Sequence, residues 1–346
     1  MSERRFFLDR GAAETRAVVT LDGLPERLLV AREGETAAGP AVGERYRARV
    51  RRFEPSLATA FLDLGEGSEA VLAARPGEAG ARNGRSLTIE IKSEARAGKA
   101  AVARFLEAAE GPPERLALAP PIAEQIITLA RGQAVEEGRA ARLAADEAEA
   151  AALEPVHELP GGGSVAIEPT RALTAIDVDL GERRAGEGKR AARQANLTAL
   201  AACARLLRLK GLGGLVVFDL AGRGHDGPAL SAAARAAFAP DQPGVAIGPI
   251  SKFGTLEIVL PRNIRPLTER LGDAFGRPSA ETLAFRLIRR LEAEAAASGA
   301  RLEGCAAAPV AAAAERLAPL LAARIGARFA IRAEPGWPSD RLEVRT

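Results

Sequence analysis

Along this chain, stretches in which apolar and polar residues alternate one for one give way to stretches in which apolar residues recur every three or four positions. The clearest case is residues 170–220, TRALTAIDVDLGERRAGEGKRAARQANLTALAACARLLRLKGLGGLVVFDL. Ile176, Val178 and Leu180 alternate with Asp177 and Asp179, a period of two that predicts a strand with both carboxylates on one face. Leu197, Leu200, Ala201, Ala204 and Leu207 follow at helical spacing, and Gly211, Gly213 and Gly214 end that helix because glycine tolerates left-handed backbone. A second apolar run, Leu215 to Phe218, closes on Asp219. Two strands joined by a crossover helix of this length are most simply parallel, and a right-handed connection sets their carboxyl ends side by side. Asp177, Asp179 and Asp219 are therefore expected to converge.

The same reading divides the rest of the chain. RRFFLDRG, ETRAVVTLDG and LPERLLVAREG predict hairpin strands with Asp22-Gly23 as a turn. From Val42 to about Leu106, short alternating strands separated by turn signals predict a small barrel. Its first strand sets Arg45, Arg47, Arg49 and Arg51 on one face and Tyr46, Ala48 and Val50 on the other. Four arginines in a row repel one another unless something anionic lies over them; the alternative is a solvated basic edge strand that resists aggregation. Between Leu106 and Glu158, ERLALAPPIAEQIITLARG is mixed and VEEGRAARLAADEAEAAALEP predicts one alanine-rich helix. GVAIGPISKFGTLEIVLPRN predicts two further strands. Beyond Pro278 come a helix starting at Ser279 and running through Leu283, Leu287, Ile288 and Leu291, a strand near Cys305, a helix after Pro309, and strands near Phe329 and Leu342. That alternation predicts a small α/β domain.

Composition narrows the class. The 346 residues are enough for two or three domains, and an apolar content of 47% is that of a globular protein. Net charge is only +3, but arginine supplies most of the positive charge, and arginine favours bidentate phosphate contacts. Cys203 and Cys305 are too few and too far apart in sequence for a disulfide framework or a zinc ribbon, which fits a reducing cytoplasm. No apolar run approaches the ~20 residues of a membrane span, and MSERRFFLDRG has no signal-peptide core.

Converging carboxylates suit a hard cation such as Mg2+, which takes oxygen ligands from one or two carboxylates and fills its other positions with water and substrate phosphate. Arg183, Arg184, Lys189, Arg190 and Arg193 follow the first strand and would offer an anionic substrate a cationic surround. Any one aspartate taken alone reads as readily as the end of a strand or the cap of a turn. Gly161 to Gly163 and the GEGK of Gly186 to Lys189 do not fit the phosphate-loop pattern, because Lys189 is followed by Arg190 and the glycine spacing differs, so a nucleotide hydrolase is disfavoured. A metal-free ribonuclease would use two histidines as acid and base, whereas His157 and His225 stand in no motif.

TAIDVDLG, NLTALAACARLLRLKGLGGLVVFDL and ISKFGTLEI together resemble the catalytic core of the ribonuclease E/G family. The resemblance implies an RNase H-like core in which Asp177 and Asp219 hold a catalytic magnesium. Asp179 stands where the family has an asparagine that helps hold the site together, and it adds a negative charge. Lys252 takes the place of a basic residue near the metal. ARVRRFEPSLATAFLDLG and EARAGK are similar to the family's S1-type RNA-binding domain, an OB-fold, in which Phe61 would stack on a base and Lys99 would contact the backbone. A second stacking aromatic of that domain is Val71 here. On the residues alone, Phe61 also reads as a core residue of AFLDLG.

The resulting expectation is an α/β (α+β) protein with an RNase H-like core, an inserted S1-type OB-fold barrel and a small C-terminal α/β domain. Residues 1–41 would supply the first strands of the core, 42–106 the barrel, 107–157 a shortened linker and helix in place of the family's 5′ sensor, 158–272 the catalytic core and 273–346 the last domain. The expected function is a cytoplasmic, magnesium-dependent endoribonuclease acting on single-stranded RNA by a metal-activated water and leaving a 5′-phosphate and a 3′-hydroxyl. The alternative is a non-cleaving RNA-binding paralogue. Against it, two buried like charges facing each other are costly to retain without a cation. LGDAFGRPSAETL lacks the cysteines of the family's zinc link, so no zinc-linked dimer is expected.

Overall fold

The computed structural model describes residues 3–33, 39–78, 82–96, 98–181 and 188–346. Arg183 and Arg184 lie outside the described residues.

The chain opens as a meander, β1 (Arg4–Arg10), β2 (Glu14–Leu21) and β3 (Leu24–Arg32). Asp22 and Gly23, with φ of 51° and 81°, make the tight turn between β2 and β3, where two left-handed residues match the twist of the strands. Next comes the barrel: β4 (Arg45–Glu54), β5 (Thr59–Gly65), β6 (Ser68–Ala73), β7 (Ser86–Ser93) and β8 (Ala101–Ala109). Its strands close in the order β4-β5-β6-β8-β7-β4, with β6 and β8 parallel and every other pair antiparallel. This closed five-stranded barrel is OB-like. Ala48, Val50, Leu62, Leu87, Ile89 and Ile91 fill it, as the alternation of β4 and β7 requires. A short strand, β9 (Glu114–Ala117), runs beside the first half of β4.

Helix α1 (Ile122–Ala130), strand β10 (Val135–Glu136) and helix α2 (Arg139–Leu153) then lead into β11 (Val156–Glu158), β12 (Ser164–Pro169) and β13 (Thr174–Asp179). Helix α3 (Gly188–Lys210) crosses to β14 (Gly214–Asp219), and α4 (Gly227–Ala237), β15 (Ala246–Ile250), β16 (Thr255–Leu260) and α5 (Leu267–Leu271) follow. The C-terminal unit packs α6 (Ala280–Ala297) and α7 (Ala308–Ile325) on a three-stranded sheet of β17 (Leu302–Ala306), β18 (Phe329–Ala333) and β19 (Leu342–Arg345). The Ser279 side chain caps α6 by accepting from Thr282 N, as its position before the apolar stripe predicts.

One expectation is corrected here. The opening strands do not enter the sheet of β13 and β14; they pair with β10 in a separate sheet of order β10-β1-β2-β3. The second sheet runs β11-β12-β13-β14-β16-β15. The physical reason lies in two-sided burial. Phe6, Leu8 and Val19 on one face of the first sheet pack on Ile126 and Ala130 of α1, while Phe7, Val18, Leu28 and Val30 on the other face join the core that α2 and α3 share with the second sheet. Helices therefore lie between the two sheets, and a strand pair cannot bridge them.

A buried charge cluster ties these layers to the C-terminal unit. Arg16 of β2 is fully buried and donates to Asp9 at 2.6 Å and to Asp146 of α2 at 2.7 Å. Glu149 of α2 accepts from Arg286 at 2.6 Å and from Arg289 at 2.9 Å, both on α6. Glu14 accepts from Arg32 at 2.7 Å and also from Arg289. Burial pushes the Glu149 carboxyl up, but Arg289 and Arg286 outweigh it and hold the group below its ordinary 4.5.

Replacing Arg16 by Ala takes the hydrogen-bond donor from the buried Asp9 carboxylate and is expected to cost roughly 3–5 kcal/mol in urea denaturation. Arg5→Ala, which removes an exposed pair with Glu136, should cost less than about 1 kcal/mol. Because the folded carboxyl of Glu149 titrates lower than the unfolded one, its stabilisation is full above pH 4.5 and is lost as pH falls through the folded value. Glu149→Gln should flatten that part of the acid unfolding curve.

Candidate active site at the ends of two parallel strands

Strands β13 and β14 are parallel, and Asp177 and Asp219 are directly paired in their register. Neighbouring strands lie ~4.8 Å apart, so the two carboxylates stand side by side on one face of the sheet. Ile176, Val178, Val216 and Phe218 point to the other face, into the core with α3. Asp177, Asp179 and Asp219 are all exposed, so the expectation of buried facing charges is corrected: the alternation that buries the apolar set turns the acids to the uncovered face. Like charges directly opposite each other destabilise a strand pair. Among the described residues no group of three or more His, Cys, Asp or Glu side chains is arranged to hold a metal ion. The pair offers two carboxylates, a number that suits magnesium.

The surrounding loops are held by polar contacts to backbone. Asp179 Oδ1 accepts from Gly181 N at 2.9 Å, a turn that an asparagine oxygen would make equally well. Gly163, with φ of 78°, lies so close to the Asp179 carbonyl that a Cβ there would collide with it. The Gly161–Gly163 run is thus the turn between β11 and β12 pressed on the end of β13, which accounts for its glycines without a phosphate. After β14, Asn196 of α3, only 1% exposed, donates to Ala221 O at 3.0 Å and accepts from Ala221 N at 2.9 Å. Arg193 reaches Asp226 at 3.2 Å, and Asp226 caps α4 through Ala229 N; these two contacts hold its carboxyl below the usual range. At the other end of α3, Arg262 Nε donates to Gly213 O at 2.6 Å and lies where side chains at Gly213 and Gly214 would have to be. Gly213 and Gly214 therefore make room for Arg262, beyond ending the helix.

Thr255 is the register partner of Asp219 on β16, which places the Ser251–Gly254 turn and Lys252 beside the acid pair. Leu220 N donates to Gly254 O at 3.3 Å across this edge. His225 stands against Gly254, where a Cβ would lie 3.1 Å from Nε2. Lys189, Arg190 and Arg193 occupy the first turns of α3 at the same end of the crossover. His157 sits two strands from β13, on β11; burial and then Lys210 push its imidazole down to about 4. Lys210 is itself buried, pushed down to about 8 by that burial, and its ammonium caps α2 through the carbonyls of Ala151, Ala152 and Glu154.

On the barrel, Phe61 is half-buried on the outer face, outside the interior cluster, with the Arg52 guanidinium 4.7 Å from its ring centre. That corrects the core reading of Phe61. Its cross-strand neighbour is Val71, whose partner in turn is Val102, so an apolar row crosses β5, β6 and β8 with one aromatic in it. The arginines of β4 divide: Arg47 pairs with Glu114 and Arg51 with Glu69, whereas Arg45 and Arg49 face solvent with no acidic partner among the described residues. Lys99 is exposed in the loop between β7 and β8. The base of that loop is tied to the segment after β16, where Arg265 N donates to Glu94 at 2.9 Å and Glu94 N to Asn263 O at 3.0 Å.

Residues 120–263, from the start of α1 to the end of this sheet, match the ribonuclease E/G family. Ribonuclease E of Haemophilus influenzae is 36% identical over 150 residues, covering 40% of this chain and 16% of that protein. Ribonuclease E of Escherichia coli is 35% identical over 147 residues, 40% of this chain and 14% of that protein. A chloroplastic ribonuclease E/G-like protein of Arabidopsis thaliana is 33% identical over 113 residues, 31% of this chain and 11% of that protein. Over residues 120–263 the chain is similar to the ribonuclease E/G family, and its match spans less than a fifth of the length of these relatives.

Of the residues named from sequence, Asp177, Asp179, Asp219, Lys189 and Lys252 gather at one end of the sheet, and Phe61, Arg45, Arg47, Arg49 and Lys99 lie on the barrel. Asn196 had no role in the sequence reading, although an asparagine within a buried alanine-leucine stripe is a legible signal of a backbone clamp. Asn196→Ala should lose about 1–3 kcal/mol of stability, because the part-buried N–H and C=O of Ala221 lose their partner. Thermal unfolding of the variant measures this. His157 predicts a further loss of stability as pH falls from 6.5 towards 4, since the unfolded chain takes up a proton that the folded imidazole refuses. His157→Gln should remove that slope and leave the Glu149 transition at lower pH.

Proposed function

We propose that this chain is a magnesium-dependent endoribonuclease that grips single-stranded RNA on the barrel and cleaves it at the Asp177–Asp219 pair. The observation that carries the reading is the shared register of these two aspartates on adjacent parallel strands. Their repulsion is relieved by a divalent ion, and both oxygens face solvent, where water and a phosphodiester have access. Asp177 and Asp219 would hold the ion, with Asp179 beside them ordering the loop. A bound magnesium ion supplies an acidified water and neutralises charge on the phosphodiester. Lys252, Lys189 and Arg190 offer cations to the phosphate at the same edge. Phe61 would stack on a base, and Arg45, Arg49 and Lys99 would contact the RNA backbone.

The RNase H-like description of the core, a cytoplasmic site of action and products with a 5′-phosphate and a 3′-hydroxyl belong to the same proposal. No helix of the described residues is long and apolar enough to cross a membrane. We expect no zinc-linked dimer, since the stretch around Gly272 has no cysteine and Cys203 and Cys305 are both buried.

Labelled single-stranded RNA should be cut with magnesium present and left intact with EDTA. Asp177→Asn and Asp219→Asn should each lower the rate by more than about 100-fold, the loss of several kcal/mol of charge stabilisation. Phe61→Ala should raise KM roughly tenfold with kcat retained. Substrates with a 5′-monophosphate and a 5′-hydroxyl should be cut alike. Wild-type chain that binds RNA with magnesium and does not cut it would make this a binding paralogue instead.

A further inference from the structure

The Ser251–Thr255 turn carries a feature that the metal and barrel assignments do not use. Phe253 is 80% exposed. The turn is well tied: Ser251 Oγ accepts from Phe253 N at 3.2 Å and from Thr255 N at 3.2 Å, and Ser251 N donates to Thr255 O at 2.9 Å. Thr255 pairs in register with Asp219, and Gly254 O receives Leu220 N, so the ring is carried on the strand edge beside the acid pair. The Lys252 ammonium lies 4.9 Å from the ring centre, and an exposure of 80% leaves the opposite face of the ring open.

An exposed aromatic face beside a lysine, both fixed next to a pair of carboxylates, matches the repeating unit of a single-stranded nucleic acid, a flat base alternating with a phosphate. We propose that Phe253 is a stacking platform for an unpaired nucleobase adjoining the scissile phosphate, with Lys252 holding the neighbouring phosphate. This rests on the endoribonuclease reading and deepens it. A base on Phe253 fixes the strand at the chemistry, whereas a base on Phe61 fixes it at the barrel, so the two platforms would select unpaired RNA at two separate points. A duplex, whose bases are already stacked, offers nothing to Phe253.

The test uses the full chain. The protein has one tryptophan, Trp337 on the C-terminal unit, so Phe253→Trp in a Trp337→Phe background gives a single reporter indole. Adding single-stranded RNA in EDTA should quench its emission, and duplex RNA of the same sequence should not. Phe253→Ala should weaken binding of a short single-stranded RNA by about tenfold, Phe253→Trp should restore it, and thermal unfolding should be unchanged because the ring is outside the core. In cleavage with magnesium, Phe253→Ala should raise KM for single-stranded substrate and flatten the preference over duplex. Equal RNA affinity of Phe253→Ala and wild type, or quenching by duplex as strong as by single strand, overturns the platform. The endoribonuclease reading fails separately, if the wild type leaves RNA uncut.

Discussion

The parallel pairing of β13 with β14 is the constraint on which the rest of the site depends. A parallel pair needs a crossover, and α3 supplies one whose apolar stripe covers the core face of both strands. With that face committed, alternation leaves Asp177 and Asp219 no choice but the uncovered face, side by side. A slip of one residue in either strand would turn its apolar set outward and bury an aspartate, so hydrophobic burial enforces the register that sets the carboxylates together. The chemistry proposed for the pair follows from that register: two like charges at strand spacing are a liability that a divalent ion converts into a site.

Around this pair the structure uses small residues and backbone contacts to bring loops close. Gly163 lets one turn press on the end of β13, Asn196 pins the loop following Asp219, and Gly213 with Gly214 admits Arg262. These contacts converge on the two strands that carry the acids. The buried cluster of Arg16, Glu14, Glu149 and Arg289 works at longer range, joining the first sheet, α2 and α6. Such a cluster is poor value for stability compared with apolar packing, but breaking it is costly, so it locks the C-terminal unit to the first sheet in one arrangement.

In the proposed function the barrel and the sheet would divide the work on an extended anionic ligand. The barrel presents Phe61 with two arginines that have no acidic partner among the described residues, while the sheet end presents the acids with Lys252 and Phe253. Glu94 ties the loop beside Lys99 to the segment that follows β16, so the barrel is anchored to the sheet at the end opposite the acid pair. Val71 opposite Phe61 leaves that barrel row with a single aromatic, so the proposed base recognition would lean more on the sheet end.

Much of this was legible from the chain because local pattern decided it. Period-two alternation gave β4 and β13, the heptad-like stripe gave α3, Ser279 marked the start of α6, and Asp22-Gly23 marked a turn; each depends on neighbours a few residues away. The pairing of Asp177 with Asp219 was also within reach, because a right-handed crossover leaves a parallel pair few geometries. Other features depended on distant partners. Nothing near residues 4–32 says that these strands would pair with β10 and be covered by helices on both faces, since that follows from the total apolar area of α1, α2 and α3 competing for cover. Nor does AFLDLG say which face Phe61 takes until barrel closure fixes inside and outside. The exposure of the aspartates, the clamp of Asn196 on Ala221 and the use of Gly213 and Gly214 by Arg262 belong to the same kind: they are set by contacts between segments far apart in the chain. The sequence by itself determined the elements and the paired carboxylates; tertiary packing decided which faces were left for solvent and substrate, because burial is a property of the assembled layers and not of any one strand.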